Sequence, residues 1–209
     1  LVENSLDAKA TKIDIYIRDG GKTEIKIIDD GNGISKDQLL LSVKRHATSK
    51  LSDENLFSIK TMGFRGEALP SIASVSKFHI TSKTRDDDIG SELYVESGEI
   101  IHNKLSNRQV GTTVTVKDIF FTTPARLKFL KSEKYENLLI KKTIQKLALA
   151  NTEVEFNLFC EEKNIINTKK IKNLTKEEFL KMRVIDLFGE SFEKNLILFK
   201  QRRENFFYS

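Results

Sequence analysis

The sequence predicts an α+β fold, a two-layer sandwich of a mostly antiparallel sheet with helices on one face. Three observations lead there. Ile13, Ile15 and Ile17 alternate with Asp14, Tyr16 and Arg18, the period of a strand with one buried side. Asp19-Gly20-Gly21 is a turn signal that joins this run to a returning strand over residues 23–29, so the two form a hairpin. Further β-rich runs cluster over residues 77–116 and are followed by a long helical pattern over 133–150, a segregation that favours α+β.

Taken in order, residues 1–10 read as the end of a helix. Asn4 and Asp7 are three apart and share a face, while Glu3 points elsewhere. Ser35 is a helix cap with Gln38 at the capping-box position, and Leu39, Leu40 and Val43 give that helix an apolar side. From His46 a polar connection runs to Thr61, with one short turn over 53–58; long loops in compact domains are usually lids or disordered. It ends in Gly63-Phe64-Arg65-Gly66 before a helix start, where backbone amides make an anion site.

Residues 77–83 form a strand with Phe78, Ile80 and Ser82 on one side and His79 and Thr81 on the other. Asp86-Asp87-Asp88 is a solvated turn. Residues 92–96 and 100–105 make a hairpin around Ser97-Gly98, and Gly111 to Val116 is a β-branched strand. Pro124 fixes the loop Phe120-Phe121-Thr122-Thr123-Pro124-Ala125-Arg126. In the helix that follows, Leu138, Leu139, Lys142, Ile144, Leu147 and Ala148 mostly track one face. Residues 154–159 are the last clear strand, and polar 164–173 reads as a linker. Thr175 with Glu178 then caps a new helix whose buried face is Phe179, Met182, Ile185 and Phe188; Gly189 ends it, and 195–200 suits a strand. The expected division is a first domain over 1–170 and the start of a second over 171–209.

The 209 residues suit one domain and part of another. No apolar run reaches the roughly 18 residues a membrane helix needs. Cys160 is the only cysteine, so no internal disulfide can form, which fits a reducing cytosol. His46, His79 and His102 have no metal-ligand spacing with each other or with Cys160. Residues 117–150 carry eight Lys or Arg against three Asp or Glu, an excess equal to the net charge of +5 for the whole chain. Arg126, Lys128, Lys131 and Lys134 are thus candidate DNA contacts, with a solvated helix face as the equal alternative. The chain opens at Leu1 without Met, inside a helix, so a piece of a longer protein is expected.

The stretch Ile25 to Ile34 concentrates the chemistry. An apolar strand ends in Asp29, which places that carboxylate at the edge of a sheet, and Gly31 and Gly33 follow. A carboxylate at a strand end can accept a hydrogen bond from the exocyclic amine of adenine, whereas guanine presents a carbonyl there and is repelled. Glycines let the backbone turn and a ligand approach without a Cβ in the way. The amide oxygen of Asn4 suits Mg²⁺, a hard cation. A lid rich in free amides holds phosphates. A nucleotide would use all of these together with the Gly-Thr-Thr strand at Gly111.

Those segments resemble a known family. Leu1-Val2-Glu3-Asn4-Ser5-Leu6-Asp7-Ala8, the Asp29 to Gly33 motif, Arg45 to Lys50, Gly63-Phe64-Arg65-Gly66-Glu67-Ala68-Leu69, Gly111 to Thr113 and Phe120 to Arg126 are together similar to the N-terminal ATPase region of the MutL family of DNA mismatch repair proteins. The resemblance covers about residues 1–159, and its Gly-Phe-Arg-Gly-Glu-Ala-Leu segment is specific to that family. The wider superfamily includes DNA gyrase, the ninety-kilodalton heat-shock chaperone and sensor histidine kinases, which share Asp-x-Gly-x-Gly but have different lids. It implies a Bergerat-type ATP-binding fold and a second domain of the transducer type, like ribosomal S5 domain 2.

The resemblance also implies roles. Asn4 would coordinate Mg²⁺, and Asp29 would read adenine with Thr112 assisting through water. Gly31 and Gly33 would shape the adenine pocket. Ala47, Thr48, Ser49 and Lys50 would belong to the ATP lid, and Gly63, Phe64, Arg65, Gly66, Glu67, Ala68 and Leu69 would wrap the phosphates. The family's general-base Glu falls one helical turn before Asn4, immediately ahead of Leu1. Glu3 lies about 100° round the helix from Asn4 and does not replace it. ATP hydrolysis is therefore expected of the parent protein and nucleotide binding of this piece. Implied partners are DNA, a MutS-type mismatch-recognition protein and a second copy, with no membrane, in a bacterial cytosol or a eukaryotic nucleus. Two other readings stay open: a non-hydrolysing nucleotide-gated DNA clamp and the ATPase subunit of a type II topoisomerase. The Gly63 to Leu69 and Phe120 to Arg126 segments argue against the second.

Overall fold

The computed structural model describes residues 1–44, 67–169 and 175–195. Helix α1 (Val2–Asp7) leads into strand β1 (Lys12–Arg18), which returns through a 3-10 turn at Asp19–Gly21 as β2 (Glu24–Asp29). Helices α2 (Lys36–Ser42) and α3 (Ala68–Ala73) precede β3 (Lys77–Lys83), β4 (Gly90–Glu96), β5 (Glu99–Ser106) and β6 (Gly111–Lys117). A short α4 (Pro124–Leu127) and the long α5 (Glu133–Ala150) follow. Strands β7 (Glu155–Cys160) and β8 (Lys163–Asn167), helix α6 (Lys176–Phe188) and a 3-10 turn at Glu190–Asn195 complete the chain.

The eight strands form one sheet in the order β5-β4-β3-β6-β2-β1-β7-β8. All pairs are antiparallel except β1 with β7. Alternation sends one side of each inner strand into the core. Ile27 pairs with Ile15 and Val114, Val114 with Ile80, and Ile80 with Leu93, so a single apolar row crosses five strands. Among the described residues, helices cover that side alone. Val2 and Leu6 of α1, Ile144 and Ala148 of α5 and Leu187 of α6 pack with β1, β7 and Ile27 as one core. Leu39 of α2 and Ala73 of α3 pack on β3, β4 and β6 as another. The sandwich is therefore the α+β fold predicted.

Several local expectations need correction. Strand β2 lies inside the sheet between β1 and β6, so Asp29 stands at a strand end and not at a sheet edge. Ser35 does occupy the N-cap of α2, yet its side chain makes no capping hydrogen bond; its carbonyl accepts from Leu39 N at 2.8 Å instead. Leu138 and Leu139 of α5 are exposed, and the face against the sheet is Ile140, Ile144, Leu147 and Ala148. Part of the supposed linker is β8, an edge strand that buries Ile166 alone. In α6 the buried positions are Arg183 and Leu187, while Phe188 is exposed and packs on Phe192 at 5.6 Å. Only the Thr175–Glu178 capping box forms in full. The strand expected over 195–200 lies, apart from Asn195, outside the described residues.

Arg183 explains how α6 is held. Its guanidinium is buried and donates to the carbonyls of Ala148, Asn151, Thr152 and Val154 at 2.6–3.3 Å. These oxygens lie in and just past the last turn of α5, that of Asn151 also accepting from Val154 N at 3.2 Å, and there the cation meets the negative end of the helix dipole.

Candidate nucleotide site

At the end of the sheet near α1 the apolar rows give way to a polar one. Asp29 pairs with Thr112, Thr112 with Ser82 and Ser82 with Ser91, and all four are buried. The row crosses the seam between the two cores, since Ile27 of β2 belongs to one and Val114 and Val116 of β6 to the other.

Asp29 is the centre of this row. Its Oδ1 accepts from the backbone N–H of Gly31 at 3.0 Å and of Thr112 at 3.2 Å, and its Oδ2 accepts from the Ser5 hydroxyl at 2.7 Å. An ionised carboxylate offers about four lone-pair sites. Among the described residues Oδ2 has that one donor, which leaves it an acceptor to spare. Burial, the largest influence, pushes the Asp29 carboxyl above its ordinary value, against the hydrogen bonds of Ser5, Gly31 and Thr112 and the charge of Arg108.

The two glycines let the backbone turn, and the room their missing Cβ leaves is used by the fold itself. A Cβ on Gly31 would lie 2.8 Å from the carbonyl oxygen of Ala8, and one on Gly33, where φ is +76°, would lie 2.1 Å from that of Lys83. The space is taken by protein. These glycines let the turn after β2 pack against the end of α1 and the end of β3, and Asn32 N–H accordingly donates to Ala8 O at 2.8 Å. Asp30 ties the same turn down by accepting from Thr11 N, Thr11 Oγ1 and Lys12 N at 2.7–2.9 Å. Desolvation opposes its ionisation, but the bonds from Thr11 and Lys12 prevail and hold its carboxyl below the usual value.

Asn4 sits half-buried on α1, next to the Ser5 that touches Asp29, and Asp7 is half-buried one turn on. Glu3 is exposed. Thr112 meets Asp29 through its main chain, and its hydroxyl pairs with Ser82 Oγ at 2.9 Å. Glu67 and Ala68 are exposed at the start of α3, and Leu69 packs against the core beneath. Ala47 to Lys50 and Gly63 to Gly66 lie outside the described residues. Arg126, Lys128, Lys131 and Lys134 are all exposed, beside a strongly exposed Phe129.

Two residues of the site escaped the sequence reading. Arg108 donates to the carbonyls of Asp29 and Gly111, both at 3.2 Å, and to the Thr113 hydroxyl. Ser82 accepts from Ile34 N at 2.8 Å and donates to Gly111 O at 3.0 Å. An arginine three residues ahead of Gly111 was the available signal for the first. For the second it was a lone serine at an inward strand position. Asp86 and Asp88 are exposed, and Asp87 accepts from Thr84.

Comparison with known proteins agrees with this geometry. Residues 1–119 match the family model of the histidine kinase-, DNA gyrase B-, and HSP90-like ATPase. The DNA mismatch repair protein MutL of Thermodesulfovibrio yellowstonii is 44% identical over 94% of this chain and 35% of its own length. That of Rickettsia prowazekii is 45% identical over 93% of this chain and 33% of its own. The chain thus spans about a third of these relatives. Among solved structures, the Aquifex aeolicus MutL ATPase domain complexed with ADP superposes with a TM-score of 0.72 at 37% identity, over 90% of this chain and 65% of that one. The chain belongs to the histidine kinase-, DNA gyrase B- and HSP90-like ATPase family, and within it to the kind of ATPase domain that MutL mismatch repair proteins carry.

Proposed function

We propose that this chain binds ATP at the Asp29 row and serves as the nucleotide-driven module of a MutL-type mismatch repair protein. The observation that carries the reading is the buried Asp29 carboxylate, fixed by three donors and left with one spare acceptor. That spare site takes the exocyclic amine of adenine and rejects the guanine carbonyl. Arg108, Ser82 and Asp30 position the loop and strands on which the carboxylate stands. Thr112 holds Asp29 through its N–H and bridges to the base through water. The donor set fits a magnesium nucleotide, because the amide oxygen of Asn4 on the adjoining helix is a hard ligand. Mg²⁺ held by Asn4 supplies neutralisation of phosphate charge when bound. The lid, Ala47 to Lys50 and Gly63 to Leu69, closes over the phosphates.

In the parent protein, closure orders the lid and pairs two copies, and hydrolysis by a general base ahead of Leu1 resets them, a population shift between open and closed states. DNA, through Arg126, Lys128, Lys131 and Lys134, and a MutS-type protein are the partners of that cycle, which runs in the cytosol of a bacterium. Residues 171–209 open a second domain whose first helix is already docked by Arg183. The test is Mg²⁺-dependent binding of a labelled, non-hydrolysable ATP analogue to wild type, Asp29→Asn and Asn4→Ala. Wild type binds, Asp29→Asn loses affinity with or without Mg²⁺, and Asn4→Ala loses only the Mg²⁺-dependent part. Equal binding by all three refutes the assignment.

A further inference from the structure

The side of the sheet on which no helix packs among the described residues carries a second polar cluster. A register row there runs Phe159, Tyr16, Lys26, Thr115, His79, Tyr94, His102 across seven strands. Tyr94 separates the two histidines, yet both imidazoles lean past it to one carboxylate in the next row. His79 Nε2 lies 3.3 Å and His102 Nε2 3.0 Å from Glu92 Oε1. The three ligand atoms all fall within 4.8 Å of one another. In a tetrahedral site with bonds of about 2.0–2.1 Å, neighbouring ligand atoms stand about 3.3 Å apart. The cluster thus approaches ligand geometry on three rigid strands. The Tyr94 hydroxyl is engaged by Glu96 at 2.9 Å and takes no part.

We propose that His79, Glu92 and His102 form a binding site for a borderline divalent transition ion of the Zn²⁺ class. Two imidazoles and one carboxylate are the donor set such ions favour. The side chains of His79 and His102 are 36% and 39% exposed, so solvent reaches the site and supplies the remaining ligand. Without metal, the ammonium of Lys104 stands in as counter-charge, 3.2 Å from the same Glu92 oxygen. Its side chain is 61% exposed and unhindered in swinging away, so metal and lysine compete for Glu92. The sequence conceals the site because its ligands come one each from β3, β4 and β5, and only the sheet register brings them together.

The test uses tag-free, chelator-treated chain without nucleotide, titrated with Co²⁺ and followed by visible absorption, with Zn²⁺ then added in competition. One Co²⁺ per chain is expected, displaced by Zn²⁺. His79→Gln and His102→Gln should each weaken binding about tenfold or more, since even outer partners of a metal ligand carry 10–100-fold. Lys104→Ala should tighten it several-fold, an outcome that loss of folding cannot produce. Asp29→Asn, on the opposite side of the sheet, should leave it unchanged, which separates this site from the nucleotide site. Absence of saturable Co²⁺ binding, or binding indifferent to both histidine variants, overturns the proposal. So does a Lys104→Ala chain that binds no tighter.

Discussion

Replacing Asp29 by Asn is the most informative single perturbation. The amide oxygen still accepts from Gly31 N–H and Thr112 N–H, and the new amide nitrogen faces the Ser5 hydroxyl, which can turn to accept. The fold should therefore survive. The ligand loses a hydrogen bond to a charged acceptor, about 1.5–3 kcal/mol. With each 1.4 kcal/mol worth a factor of ten, affinity for ATP should drop roughly 10- to 150-fold. Selectivity should change too, because an amide N–H₂ opposes the adenine amine and welcomes the guanine carbonyl. The ratio of ATP to GTP affinity should fall by more than the ATP affinity alone. Titration calorimetry with non-hydrolysable ATP and GTP analogues reads both quantities, and a melting curve checks the fold. ATP affinity within twofold of wild type in a folded variant would refute the assignment of Asp29 as the adenine reader.

Asp29 and Asp30, adjacent in sequence, should show opposite linkage to pH. The folded pKa of Asp29 is raised above 3.8, so its stabilising contribution is present below that value and lost as pH rises through the folded pKa. For Asp30 the folded pKa is depressed, so its contribution is present above 3.8 and lost as pH falls through the folded pKa. Relative to wild type, Asp29→Asn should gain melting temperature as pH climbs from 3.8 through the raised folded pKa, and Asp30→Asn should lose it as pH climbs through the depressed folded pKa towards 3.8; parallel profiles would contradict both readings. Arg183→Met should take the donor from the carbonyls of Ala148, Thr152 and Val154 and, at about 1–3 kcal/mol per unsatisfied group, cost about 3 kcal/mol or more in urea unfolding; a cost under about 1 kcal/mol would show that α6 is held otherwise. Charge reversal at Lys128, Lys131 and Lys134 together should weaken DNA binding and reduce the salt slope by about 2–3. An unchanged slope would place DNA elsewhere.

Where one side of an element is buried and the other wet, the sequence alone located it well. The expected bounds 77–83 and 133–150 are those the structure shows, because strand alternation and helical apolar spacing mark them. Strand β8 is illegible because an edge strand needs one inward residue only, and the adjacent pair Ile165-Ile166, of which Ile166 alone is buried, gives no period. In α6 the largest apolar residues suggest the wrong face, whereas the buried Arg183 is the residue that binds the α5 carbonyls. Asp29 was legible as a carboxylate at a strand end, but its three donors come from α1, the following turn and β6. Such long-range partners leave no local signature. The histidines show the same limit, for no spacing rule anticipates three strands laid side by side.

The central claim is that one Asp29 oxygen recognises the 6-amino group of adenine, and the most direct test alters the ligand and leaves the protein intact. The affinity of the wild-type chain for a non-hydrolysable ATP analogue should be compared with that for the same analogue lacking the 6-amino group. Loss of that group should weaken binding roughly 10- to 150-fold, as removal of a charge-assisted hydrogen bond requires, and Asp29→Asn should bind the two ligands alike. Equal affinity of the wild-type chain for both would contradict the claim.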